Sequence, residues 1–167
     1  RFLFPRPYSG DRVRYQRVTK YIREFAQYVY WEIDCHYPNV QIFAWEIGNE
    51  YDAGDAAMTP VEYAMIAETA ARAIRGVRGT AKVAIQAGPL SQTVSIFAPH
   101  ANTIYNQFTN RASQNNTRLP EYLVHHAYTS FDTGYERLGE VLEFIQTRWS
   151  GTPTIVTEWN THNSNDD

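Results

Sequence analysis

The chain has 167 residues, of which 43% are hydrophobic and 20% charged, and it carries a net charge of −3. This size and balance are typical of one globular domain with its own core. The slight negative charge and the absence of a basic stripe argue against a nucleic-acid partner, and no apolar run approaches the ~18 residues that would cross a bilayer. With Cys35 as its single cysteine, the chain cannot form an internal disulfide.

Four helical segments alternate with four apolar strands. The first helical pattern follows Asp11, a suitable N-cap, and places apolar side chains along one helix face. The second begins at Thr59, where Thr-Pro-Val-Glu combines an N-cap, a proline at the first helical position and a capping-box glutamate. In the third, Pro99 must interrupt or begin a segment. The predicted helices cover residues 12–36, 59–75, 91–110 and 135–149.

Each predicted strand is a short apolar run between turn-forming residues. The strands cover residues 40–47, 81–88, 122–128 and 154–159. Nearly continuous apolar strands that alternate with helices indicate a parallel sheet covered by helices. Two architectures fit this α/β pattern, a part of a (β/α)8 barrel and a small doubly wound sheet. No strand runs into a glycine-rich phosphate-binding motif, which a nucleotide-binding doubly wound sheet would carry.

Polar and titratable side chains lie at, or just after, the C-terminal end of every predicted strand. They are Glu46, Asn49 and Glu50, then Gln86, then His125, His126 and Tyr128, and finally Glu158, Trp159, Asn160 and His162. In parallel α/β proteins this edge of the sheet binds the ligand. We therefore expect a binding or catalytic site at this edge.

Two carboxylates at this edge, Glu50 and Glu158, are suited to sugar chemistry. Hydrolysis of a glycosidic bond takes one carboxylic acid to protonate the leaving oxygen and one carboxylate to attack, or to activate water at, the anomeric carbon. Asn49, beside the first acid, can donate a hydrogen bond to the sugar 2-hydroxyl. An aromatic content of 14% fits a surface on which sugar rings stack, although aromatic cores are common too.

The strings "WEIGNE", "HHAY" and "VTEW" resemble the motifs of the clan A retaining glycoside hydrolases. Proteins of that clan are (β/α)8 barrels that cleave β-type glycosidic bonds of oligo- or polysaccharides by double displacement. The resemblance implies that Glu50 is the acid/base and Glu158 the nucleophile. It also implies that Asn49 binds the substrate and that carbohydrate is the partner. Within the clan, these motifs are slightly more similar to the xylosidase-like and arabinofuranosidase-like members.

Three further residues are candidates for the substrate side of the site. His126 and Tyr128 match the strand-six motif whose tyrosine contacts the nucleophile, and Trp159 is suited to serve as a sugar platform. Neither a cofactor nor a metal is implied. For retaining chemistry we expect the two carboxyl groups to lie ~5–5.5 Å apart.

Mapped onto the clan, residues 1–167 form a single incomplete barrel domain, from about helix three to strand seven. A complete barrel takes ~250 residues. We therefore expect that remaining barrel segments or self-association cover the sheet edges, unless the chain folds as a half-barrel. The segment "RFLFPRPYS" could supply a further short strand, but its prolines disfavour ladder pairing.

Two alternatives stay open. The first is a catalytically impaired sugar-binding or structural fragment of a glycosidase barrel. The second is an unrelated doubly wound hydrolase that uses His125 or His126, although the GxSxG motif of a nucleophile elbow is absent from the sequence. Among the other acids, Asp52 and Asp55 are expected in a surface loop, and Glu46 in a polar pair below the barrel rim.

Overall fold

The structure, a computed structural model, describes residues 12–53, 57–91, 93–130 and 134–162. Its helices are α1 (Arg12–His36), α2 (Pro60–Val77), α3 (Val94–Gln114) and α4 (Gly134–Arg148), and its strands are β1 (Trp45–Ile47), β2 (Val83–Gln86), β3 (Tyr122–Ser130) and β4 (Thr154–His162). The predicted alternation of helices and strands is confirmed. The predicted N-cap at Asp11, the N-terminal strand and Asp55 lie outside the described residues.

The four strands form one all-parallel sheet in the order β1-β2-β3-β4. Each strand pairs with the next one along the chain, with Ile47 opposite Ile85 and Ile85 opposite Leu123. The order does not reverse within the described strands, whereas a doubly wound sheet has such a switch point. The predicted α/β class is thus confirmed, with every described connection running in one direction along the sheet.

The helices share one core with a single face of the sheet. Ile47, Val83, Ile85 and Leu123 belong to the same buried cluster as side chains from all four helices. Residues of the opposite face, such as Val124, are also buried but lie outside that cluster. A doubly wound sheet carries helices on both faces. The described part of the chain therefore disagrees with the doubly wound alternative, and one sheet face is left to build a site.

Helix α2 begins as the sequence predicts. The Thr59 backbone amide donates to Glu62 Oε2 at 2.9 Å, and the Glu62 amide donates to Thr59 Oγ1 at 3.2 Å, which completes the capping box. The helix passes through Gly76 and ends at Val77, with the Arg78 amide donating to the Ile74 carbonyl. None of the helices within the described residues has the length and apolar character that a membrane crossing demands.

Several element boundaries differ from the prediction by a few residues, and those of β1 and α3 differ most. Strand β1 covers three residues instead of eight. Its partner β2 begins at Val83, opposite Trp45, so residues 40–44 have no paired residue on β2. Helix α3 runs through Pro99 and continues to Gln114, beyond its predicted end at residue 110. Pro99 lies in the second turn, where its missing amide leaves only the carbonyl of the exposed Ser95 without its helical donor.

Candidate functional site

The buried hydroxyl of Tyr63 ties the C-terminal ends of β1 and β2 together. It donates to the Ile47 carbonyl at 2.7 Å and accepts from the Gln86 amide at 2.7 Å. Burial raises the pKa of this hydroxyl well above its ordinary value, so that it keeps its proton and can donate. A Cβ atom at Gly48, where φ is +95°, would lie 2.7 Å from the Tyr63 ring. Only glycine therefore fits the turn that leads from β1 into the site.

Glu50 has a left-handed backbone, with φ at +45°. The next residue holds it there, because the Tyr51 amide donates to Gln86 Oε1 at 3.0 Å and the Tyr51 ring stacks on Tyr63 at 4.5 Å. The Tyr51 hydroxyl also lies 3.1 Å from His100 Nδ1. Left-handed conformations of residues other than glycine cost about 1–3 kcal/mol and cluster at functional sites. Packing around Tyr51 thus fixes the direction in which the Glu50 carboxylate leaves the chain.

An irregularity between β3 and β4 sets the position of Glu158. His125 pairs with Val156, but His126 pairs with Glu158, so Thr157 is an extra residue on β4. In-register residues of parallel strands point to the same face of a sheet. The bulge therefore turns Glu158 to the face that carries His126 and Tyr128. Bulges commonly re-aim a side chain next to an active site.

His126 lies at the centre of a group of carboxylates. Its Nδ1 atom is 3.4 Å from Glu50 Oε1 and 3.9 Å from Glu158 Oε2, and its Nε2 atom is 3.6 Å from Glu46 Oε1. The His126 side chain is fully buried, whereas those of Glu50 and Glu158 are 22% and 44% exposed. One oxygen of Glu50 and one of Glu158 lie within 4.8 Å of each other. The ends of three strands thus bring two accessible carboxylates together around one imidazole.

Tyr128 makes the shortest contact at this edge. Its hydroxyl donates to Glu158 Oε2 at 2.5 Å. The hydrogen bond to Glu158, burial and the charge of nearby Glu50 raise the pKa of Tyr128 to about 12. The phenol therefore stays protonated across the neutral range and stabilises negative charge on the Glu158 carboxylate.

The remaining predicted site residues are divided between the two sheet faces. Asn49 is exposed beside Glu50. Trp159 pairs with Ala127, on the face opposite Glu158, and is 75% exposed, so the structure does not bring its ring to the carboxylates. Its role as a sugar platform stays a prediction, as do the roles of Asn49, Glu50, His126, Tyr128 and Glu158.

His125 also lies on the face opposite His126. It is buried with its ring edge-on to Phe97 at 5.5 Å. Burial, followed by the neighbouring His126, lowers the pKa of His125 to about 4. A neutral imidazole packed among helix residues gives little support to the alternative in which His125 carries out hydrolysis.

Three contributors to the site were given no role in it by the sequence prediction. Glu46, expected in a polar pair below the rim, contacts His126 and accepts from Thr157 Oγ1 at 3.4 Å. Its position one residue before Ile47, on the alternate side of β1, was the available signal. The anchoring role of Tyr63 and the bulge at Thr157 have no local sequence signature, because both depend on contacts between distant segments.

Asp52 and a groove on the helices lie apart from the carboxylate pair. Asp52 Oδ2 accepts from the Leu90 amide at 3.3 Å, a bond between two loops at the strand ends. The groove, of about 500 Å³, lies on the outer surface of α1, α2 and α3 and is lined by Arg23, Arg72 and Arg111 among others. These helices cover the opposite face of the sheet, so the groove is not part of the site.

Glu50, His126 and Glu158 each offer one donor atom that could bind a metal ion, and these atoms lie within 4.8 Å of one another. The donor set is one imidazole nitrogen and two carboxylate oxygens, which suits divalent transition metals. The same arrangement, a pair of carboxylates with a tyrosine donor, also suits acid–base and nucleophilic catalysis.

A scan against protein-family models gave no match to this chain, and a search of curated proteins gave none either.

Proposed function

We propose that the chain is the catalytic part of a retaining glycoside hydrolase that cleaves β-type bonds of oligo- or polysaccharides. The observation that carries the proposal is the pair Glu50 and Glu158, which come from different strands to within 4.8 Å on one sheet edge. Retaining enzymes hold their carboxyl groups ~5–5.5 Å apart, whereas inverting enzymes need ~6.5–9.5 Å to admit a water molecule. A close approach of the two carboxylates supports the retaining assignment.

In the first step, Glu50 in its acid form gives its proton to the glycosidic oxygen. A Glu158 carboxylate oxygen forms a bond to the anomeric carbon as the bond from that carbon to the leaving oxygen breaks. The leaving sugar departs as a neutral alcohol, and the remaining sugar is an ester of Glu158.

In the second step, Glu50, now a carboxylate, takes a proton from water as the water oxygen attacks the anomeric carbon. The ester bond breaks, and Glu158 leaves as a carboxylate. Two inversions at one carbon return the original configuration. Both residues then hold the protonation states with which they began.

Tyr128 and His126 support these roles. The Tyr128 hydroxyl, 2.5 Å from Glu158 Oε2, stabilises the nucleophile as an anion before attack and as a leaving group in the second step. The buried His126 ring, 3.4 Å from Glu50 Oε1, fixes the acid/base residue relative to the sheet. On this proposal the exposed Asn49, next to Glu50 in sequence, donates a hydrogen bond to the sugar 2-hydroxyl.

The same proposal assigns the fold to a part of a (β/α)8 barrel. Sequential parallel strand order and a helix layer on one face are both features of that architecture. On this assignment the carboxylates occupy the C-terminal rim, where barrel enzymes carry out their chemistry. The remaining barrel segments, or a second copy of the chain, would cover the open face and the outer strands.

The test is hydrolysis of a panel of 4-nitrophenyl glycosides by the wild type and by Glu158→Gln, Glu50→Gln and Glu140→Gln. The first two variants should lose nearly all turnover, and Glu140→Gln, which changes an exposed acid on α4, should keep it. The configuration of the first-formed product, followed by NMR, should be retained. An inverted product, or full activity in Glu158→Gln, would contradict the proposal.

A second candidate is a sugar-binding protein of the same fold without turnover. One observation favours it: the described residues form four strands, which do not enclose the carboxylates as the eight strands of a complete barrel would. Equal inactivity of the wild type and Glu158→Gln on every glycoside, with measurable sugar binding by both, would support this candidate.

A further inference from the structure

We propose that Glu50, His126 and Glu158 form a binding site for a zinc-class divalent cation, which blocks the carboxylate pair when it is bound. The blocking role rests on the proposed glycosidase function, whereas the metal site itself rests on the geometry of three side chains. The ligands would be His126 Nδ1, Glu50 Oε1 and Glu158 Oε2.

Two of the three distances between these atoms are close to those of a metal centre, and the third, between the two carboxylate oxygens, is within 4.8 Å. Zinc bonds of about 2.0–2.2 Å at tetrahedral angles place neighbouring ligand atoms roughly 3.3–3.5 Å apart. Nδ1 lies 3.4 Å from the Glu50 oxygen and 3.9 Å from the Glu158 oxygen. The two carboxylates are partly exposed, so small side-chain rotations can complete the geometry without moving the backbone. The fourth position would face solvent.

Two contacts support the ligands from behind. Glu46 Oε1 lies 3.6 Å from His126 Nε2, on the ring edge away from the other two carboxylates. Metal-binding histidines almost always have an acceptor near their second nitrogen, and with the proton on Nε2 the lone pair of Nδ1 would bind the ion. Tyr128 donates to Glu158 Oε2, and a carboxylate oxygen has a second lone pair for the metal. The arrangement of carboxylate, histidine and metal recurs in zinc proteins.

The donor set selects the class of ion. Imidazole suits zinc, copper, cobalt and nickel, whereas magnesium and calcium prefer oxygen ligands alone. Two carboxylates balance the double positive charge, and Glu46 adds a third negative charge nearby. We therefore expect Zn²⁺ and Co²⁺ to bind and Mg²⁺ to bind far more weakly.

Bound metal would stop the proposed reaction at both residues. The Glu158 oxygen that attacks the anomeric carbon would be engaged by the ion. Glu50 would donate a lone pair to the metal and could not carry the proton that the leaving oxygen needs. Inhibition by zinc should therefore be reversible by a chelator and should follow the same affinity as binding.

The experiment measures metal binding separately from activity. Zn²⁺ is titrated into the chelator-treated protein by calorimetry, and Co²⁺ binding is followed by its visible absorption. The wild type should bind one equivalent at this site. Glu158→Gln and Glu50→Gln, at partly exposed positions, should lower the affinity at least ~100-fold, and Glu46→Gln about 10- to 100-fold.

A background variant removes two surface side chains that could also bind zinc. Cys35 is an exposed free thiol, and His36 lies 4.0 Å from Glu32, so both can bind zinc weakly. Cys35→Ser with His36→Ala should leave the binding at the carboxylate site unchanged. Far-UV circular dichroism of each variant checks that lost binding is not lost folding.

The outcomes separate this inference from the proposed function. Absence of saturable zinc binding, or undiminished affinity in both Glu50→Gln and Glu158→Gln, overturns the metal site even if the wild type cleaves glycosides. Zinc binding that depends on these residues in a protein that cleaves no glycoside establishes the site and overturns its blocking role. Binding and chelator-reversible inhibition with the same midpoint support both parts.

Discussion

The Tyr128 hydroxyl donates to Glu158 Oε2 at 2.5 Å, and this contact exists because of the extra residue at Thr157. Without that insertion, His126 would pair with Thr157, and the Glu158 side chain would point to the helix-covered face. The regular strand β3 thus carries the donor Tyr128, and the bulge in β4 turns the Glu158 carboxylate toward it.

Tyr128→Phe should lower kcat/KM about 10- to 150-fold, since hydrogen bonds to charged groups contribute about 1.5–3 kcal/mol. The matched control is Tyr122→Phe, on the same strand and face but at the opposite end. Among the described residues, the Tyr122 hydroxyl has one hydrogen-bond partner, Lys82 Nζ at 3.4 Å. Steady-state kinetics on the best aryl glycoside checks both variants. Equal effects of the two substitutions would mean that Tyr128 has no specific role with Glu158.

Gly48→Ala should lower the free energy of unfolding by about 1–3 kcal/mol and reduce turnover as well. The new methyl group would meet the Tyr63 ring, and the positive φ would be strained. Because Tyr63 anchors the ends of β1 and β2, its displacement would also move Glu50. Urea unfolding and kinetics on the same preparation provide the measurement.

Gly139→Ala is the control for that substitution. Gly139 lies within α4, where an added Cβ meets nothing within 4 Å, so alanine should stabilise the helix by about 0.5–1 kcal/mol. Turnover should not change. A stability loss in Gly139→Ala as large as that of Gly48→Ala would show that the contact with Tyr63 is not the cause.

Sequence patterns predicted the elements because these depend on local chemistry. The capping box at Thr59 and Glu62 is confirmed, and α1 has its predicted bounds, since both follow from signals within a few residues. The contraction of β1 to Trp45–Ile47 could not be predicted, because it depends on where β2 begins. Strand pairing depends on two segments, and the sequence pattern of one segment does not show where its partner begins.

The sequence predicted the sheet edge that carries the candidate site better than the face on which each side chain lies. The clustering of polar residues at strand ends predicts that Glu50 and Glu158 share a sheet edge, and both lie there next to His126. The face on which each side chain lies was less predictable, because the bulge at Thr157 shifts the alternation along β4. Trp159 lies on the opposite face from Glu158 because successive residues of a strand alternate between the two faces.

Glu68→Ala should lower the free energy of unfolding by about 1–3 kcal/mol, the range for hydrogen-bonding groups that lose a buried partner. Glu68 is fully buried on α2 and joins this helix to α3 and the loop after it: Arg111 Nη2 lies at 3.3 Å and Thr117 Oγ1 at 3.0 Å. Without it, the nearby guanidinium groups lose their buried counter-charge. Chemical unfolding monitored by circular dichroism measures the change.

Glu24→Ala is the matched control for Glu68→Ala. Glu24 is also a helical glutamate with a cation four residues away, Lys20 at 3.7 Å, but both side chains are exposed. Exposed pairs of this kind contribute less than about 1 kcal/mol. If the two variants were equally stable, burial would not be what makes the Glu68 contacts strong.

The stabilising effect of Glu121 should depend on pH in one direction. Partial burial alone would raise the pKa of its carboxyl, but hydrogen bonds from the Val83 amide and Arg75 together lower it below its ordinary value of 4.5. A carboxyl whose pKa is lower in the folded state stabilises the protein above the unfolded pKa. That contribution is lost as the pH falls through the folded value.

Glu121→Gln should therefore be less stable than the wild type at neutral pH, with a difference that shrinks progressively below about pH 4.5. Urea midpoints of both proteins between neutral and acidic pH measure this. A difference that stays constant through the acid range would mean that the ionised form of Glu121 is not what binds Val83 and Arg75.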